Sequence, residues 1–102
     1  MYLIVTSLYP NDKAREVANM YVKMIKKYPD DASLCTPTVP VAVRATLQGI
    51  RVLSIQEVKK GKASEAHAFM ANRLAMFNDI QGYRWTIKTY LNLEEALKTI
   101  GM

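Results

Sequence analysis

Apolar residues recur along this chain with two different periods, and the switches between them mark its elements. Tyr2–Leu8 is β-branched and apolar on both alternations, which predicts a strand buried on both faces. Pro10-Asn11-Asp12 ends that run, and Asn11 or Asp12 offers a helix N-cap. Ala14, Val17, Ala18, Tyr21, Ile25 and Tyr28 then follow at helical spacing. Lys26 and Lys27 complement the dipole of the last turn, and Pro29 stops the helix. Pro29 to Thr38 reads as a long loop. From Val39 to Leu47 apolar and other residues alternate strictly, and Ile50–Val58 repeats the pattern after Gly49. A glycine between two alternating runs predicts a hairpin. Its turn is either of the mirror-image kind or a type I turn with Gly49 as a left-handed bulge residue.

After the polar break Lys59-Lys60-Gly61-Lys62, Ser64 can cap a second helix. Its main stripe is Ala66, Met70, Leu74 and Phe77, flanked by Phe69, Met76 and Ile80. Tyr83–Leu91 alternates again and is rich in aromatic and β-branched residues. Asn92 and Glu95 have capping-box spacing before a short last helix that Gly101 stops. The order is β-α-β-β-α-β plus a C-terminal helix, in one domain over residues 1–102. It predicts an α+β, ferredoxin-like fold with two helices on one face of a four-stranded antiparallel sheet.

The alternation also sorts the two faces of that sheet. Val39, Val41, Val43, Ala45 and Leu47 are expected under the helices with Ile50, Val52 and Ser54, as are Tyr83, Trp85 and Ile87. The open face then carries Ala42, Arg44, Thr46, Arg51, Leu53, Ile55 and Glu57, and Arg84, Thr86, Lys88 and Tyr90 from the last strand. Such a face is more apolar than one left to water, and it holds four cations against one acid. It calls for a cover, an anion, or both. The cations can also lie along the sheet with their charged ends in water.

Charge sharpens this picture. The net charge is +5, and +4 of it falls within residues 38–62. One cysteine excludes an intrachain disulfide and suits a reducing, cytoplasmic compartment. With a single His as well, a His/Cys zinc site within one chain is excluded. The first apolar run is too short to cross a bilayer and lacks a signal-peptide leader, so no membrane partner is expected. Glycine-rich phosphate loops and metalloprotease or nucleophile-elbow motifs are absent. Asp30-Asp31 is explained by turn formation. Cys35, in the loop, reads as a packed or idle thiol because nothing places His67 beside it as a base. His67 and Tyr90 are the acid/base candidates. Nucleic-acid binding is disfavoured, since Tyr2 is the only aromatic on the two central strands where a stacking platform would stand.

Element order, two-sided strands, length and the added C-terminal helix together resemble the dimeric α/β-barrel superfamily, and Phe77–Trp85 resembles the lead-in to its last strand. The resemblance spans Tyr2 to Ile100. It implies a homodimer whose two sheets close into a barrel, and a site between sheet and helices or at the dimer seam. The superfamily includes cofactor-free monooxygenases, isomerases and haem proteins. The lone His67 gives no haem pattern, and no cofactor and no metal is expected. The resulting expectation is a homodimer binding a small anionic ligand through Arg44, Arg51, Arg84 and Lys88, with hydrogen bonds from Thr46, Thr86 and Tyr90. A pure dimerisation module and a nucleic-acid binder using the basic sheet face are the alternatives.

Overall fold

In the computed structural model, which describes all of residues 1–102, burial alternates without a break along β1 (Tyr2–Tyr9). Leu3, Val5, Ser7 and Tyr9 point to the buried side, and Tyr2, Ile4, Thr6 and Leu8 to the other. After a single 3₁₀ turn come α1 (Ala14–Lys27), β2 (Cys35–Thr46) and β3 (Gly49–Val58). Helix α2 (Ala63–Ala75), β4 (Arg84–Tyr90) and α3 (Leu93–Thr99) complete the chain. The strands form one antiparallel sheet in the order β2-β3-β1-β4. This α+β arrangement fits the ferredoxin-like layout, with β1 and β3 central because the two β-α-β halves interleave.

Register settles the faces. Ser7 pairs with Val52, Val5 with Ser54 and Leu3 with Gln56, so these share the helix side. Val43 and Ala45 join them by pairing with Val52 and Ile50. Val39 does not: two irregularities between Pro37 and Ala42 place it opposite Ile55, on the open side. A bulge adds one residue and reverses the facing of everything beyond it, and Pro37 and Pro40 sit here because β2 is an edge strand. Leu47 also departs from the expected face, standing fully exposed at the hairpin tip.

Leu47-Gln48 forms the hairpin loop. Neither has a positive φ, which excludes the mirror-image turns and leaves Gly49, at φ 136°, to absorb the twist. A Cβ on Gly49 would lie 2.5 Å from the Tyr9 carbonyl oxygen, so any larger residue here is strained.

The two long helices start without side-chain caps: neither Asn11, Asp12 nor Ser64 fills that role. The Asn92–Glu95 capping box of α3 is complete, with bonds of 2.8 and 2.9 Å. Cys35 is not a loop residue but the buried first residue of β2, since that strand extends four residues upstream of Val39.

The core has two parts. Ala66, Met70 and Leu74 of α2 pack on Leu3, Val5 and Cys35. Val17 and Met24 of α1 join Tyr9, Phe77 and Ile80. The apolar stripe of α1 is therefore split: Val17 and Met24 are buried, while Tyr21 and Ile25 stay partly exposed.

Candidate functional site

The split of α1 opens a groove. Ala18, Tyr21, Val22 and Ile25 form one wall, and Val41 and Val43 of β2 form the opposite one. The cavity between them has a volume of about 450 Å³. That lies within the usual range for small-molecule sites, which are largely apolar with a few placed polar groups. The middle of β2 lies beyond the reach of both helices, so Val41 and Val43 remain uncovered, Val43 at 62% exposed.

The polar groups of the groove come from the floor and from α2. Ser7, Gln56 and Arg73 all line it, and each is more than nine-tenths buried. Arg73 Nε and Nη2 donate to the Tyr28 carbonyl at 2.9 and 2.6 Å, and Nη2 also donates to Asp30 Oδ1 at 2.9 Å. The guanidinium stacks over the Phe69 ring at 4.6 Å, and Tyr28 meets the same ring edge-on. Arg73 thus ties the C-terminal end of α1 to α2, satisfying a terminal helix carbonyl.

At the other end of the groove Tyr9, Tyr83 and Phe77 stack in series, with ring centroids 5.7 and 4.8 Å apart. Burial pushes the Tyr83 phenol above its ordinary range, opposed by a hydrogen bond from Ser7. Burial raises Tyr9 as well. These phenols are neutral donors and acceptors at physiological pH.

The predicted site residues lie on the other side of the sheet. Register draws them into rows. Arg44, Arg51, Leu8 and Arg84 form one row, Lys88 stands beside Ile4, Thr86 beside Thr6, and Tyr90 beside Tyr2, with Glu57 on the far side of Tyr2. Arg44 and Arg51 together border a shallow hollow of about 290 Å³ with Thr6 and Leu53. None of Arg44, Arg51, Arg84 and Lys88 forms an ion pair. The Thr46 hydroxyl donates to the Gly49 carbonyl at 2.7 Å and accepts from the Gln48 N–H, so its bonds close the hairpin. His67 is exposed on α2 and lines neither hollow.

Sequence reasoning missed the groove residues. Gln56 was the available signal, as a polar residue among the helix-facing positions of β3. Arg73, inside the apolar run of α2, was another. Burial raises the Cys35 thiol, and the nearby Arg73 pulls it the other way. No three His, Cys, Asp or Glu residues group to hold a metal ion, and no helix is long and apolar enough to cross a membrane. Comparison with protein-family models, curated proteins and solved structures yields no match.

Proposed function

We propose that this chain is a homodimeric, cytoplasmic domain of the α/β-barrel type that binds a small molecule in the groove between α1 and the sheet. The groove carries the reading: an apolar volume of about 450 Å³ with buried polar side chains on its floor. A chain that only had to fold would close such a gap, since close packing is what stabilises a core.

Surface area supports the second copy. The chain exposes 6861 Å², roughly 1,000 Å² more than the ~5,800 Å² that a monomer of 11.6 kDa shows by size scaling. A standard interface buries about 800 Å² per partner, so one such contact accounts for most of the excess. The open sheet face offers the surface, with Ile4, Leu53 and Ile55 in its centre. Its charges select the geometry. Arginines occupy one end of the face, and Glu57 with Tyr2 and Tyr90 the other. A two-fold axis running across the strands sets Arg51 over Glu57 and Arg84 over Tyr90, each twice. An axis along the strands would set arginine row on arginine row.

Two measurements test this reading. Light scattering at micromolar concentration is expected to give twice the chain mass, and Leu53→Arg is expected to give a monomer. A wild-type monomer overturns the dimer. Titration with 1-decanol, an apolar chain with a neutral head, is expected to shift resonances of α1 and β2. No binding overturns the groove as a site. The unpaired arginines favour one second reading, a phosphate-backbone contact. That reading requires a salt-sensitive mobility shift of RNA or DNA that Arg44→Ala and Arg84→Ala abolish.

A further inference from the structure

The groove's buried polar groups specify more than an apolar occupant. Gln56 is only 4% exposed, and no protein group bonds its side-chain amide. No fully enclosed polar atom of the chain lacks a partner, so this amide keeps its contact with solvent, and the groove it lines supplies that contact. Arg73 is 7% exposed, and its Nε and Nη2 are engaged. Its Nη1 has no protein partner, which leaves two charged N–H donors on a guanidinium held in place by Tyr28 and Asp30.

Both residues line the one groove. Gln56 and its pairing partner Pro37 line the same cavity as Arg73 and its partner Asp30. Asp30, the only carboxylate in the groove lining, is held on the Nη2 side, and its side chain is 69% exposed, so solvent screens much of its charge. Next to them Met24, Ile25 and Val41 offer only hydrocarbon.

We propose that the groove binds a monocarboxylate with an extended apolar body, its carboxylate between Arg73 Nη1 and the Gln56 amide. The proposal rests on the groove being a binding site and adds the class of its ligand. Charge-assisted bonds from the Nη1 N–H donors favour a carboxylate over an alcohol. The hydrocarbon covers Val41, Val43, Val22 and Ile25, which the fold leaves half open. The Gln56 amide, otherwise a buried group without a protein partner, gains one.

The test compares decanoate with 1-decanol, each below its aggregation concentration, by calorimetric titration at pH 7 on wild type and on Gln56→Leu. The substitution removes no protein hydrogen bond, so the fold is expected to stand, which circular dichroism checks. Wild type is expected to bind decanoate about 10-fold tighter than decanol, the ratio for one good charge-assisted bond. Gln56→Leu, which leaves Arg73 in place, is expected to lose about threefold of that preference, read as weaker decanoate binding. Decanol binding without a preference for decanoate overturns the carboxylate assignment and leaves the groove as a site. Preference unchanged in Gln56→Leu also overturns it. Binding of neither compound overturns both the ligand class and the site.

Discussion

Helices α1 and α2 lie on the same side of one sheet, and each follows a strand in the same β-α order, yet they meet that sheet differently. Small and flexible residues of α2, Ala66, Met70 and Leu74, settle directly onto Leu3, Val5 and Cys35. Helix α1 touches the core through Val17 and Met24 and holds Tyr21, Val22 and Ile25 over a gap. The difference begins in the sheet. Beneath α2 the floor is apolar and central. Toward α1 it carries Ser7, Ser54 and Gln56, and it ends on an edge strand that two prolines and two register irregularities turn. Polar floor residues give an apolar helix face nothing to bury against, and Arg73 fixes the end of α1 by hydrogen bonds instead. One half of the repeated unit is closed core; the other leaves a groove.

The contrast breaks if the two helices respond alike to truncation. Leu74→Ala and Leu3→Ala are expected to cost about 3–5 kcal/mol each in urea denaturation, the range for well-packed leucines. Ile25→Ala, on the groove wall, is expected to cost under about 1 kcal/mol, and equal losses would show α1 packed as tightly as α2. Gly49→Ala sharpens the account of the edge hairpin. Its positive φ and the Tyr9 carbonyl predict a loss of about 1–3 kcal/mol, whereas a neutral result would show the turn free to rearrange. Asn92→Ala removes the one complete cap and is expected to cost about 1 kcal/mol, seen first as faster amide exchange in α3.

Titration gives the smallest effects, and they differ by region. The Glu95 carboxyl is held below the ordinary range by the terminal amine and the Asn92 N–H. Its folded pKa is lowered, so its contribution is present above the ordinary carboxylate pKa of about 4.3 and disappears as pH falls through the lower folded value. Shift changes confined to α3 and Met1 on acidification would check this. Tyr9 and Tyr83 are raised, so their contribution is complete below about pH 10 and falls as pH rises through their folded values. Difference absorbance should place both phenols above the exposed tyrosines, and a normal titration of Tyr83 would contradict its burial. Cys35, likewise raised by burial, should alkylate far more slowly in the native chain than in urea.

Much of this was legible in the chain. Element order followed from periodicity, and the face of β3 from simple alternation, because a pairing register carries a period-two pattern without loss. The face of Val39 was not legible, since the two irregularities that reverse it depend on how Pro37 and Pro40 meet β3. Nor was the rotation of α1. Tyr21 and Ile25 fit a helical stripe as well as Val17 does, and only the width of the sheet beneath decides which of them is covered. The arginine-rich face was visible because charge is visible. The groove was not, because its polar residues are few and become informative only once their burial is known.

The proposed ligand occupies the helix side of the sheet. Methyl-resolved NMR during a titration with 1-decanol tests it most directly. Shifts are expected at Val22, Ile25, Val41 and Val43, with the open-face methyls of Ile4, Leu53 and Ile55 unchanged. Shifts confined to Ile4, Leu53 and Ile55, with the α1 and β2 methyls still, would contradict it.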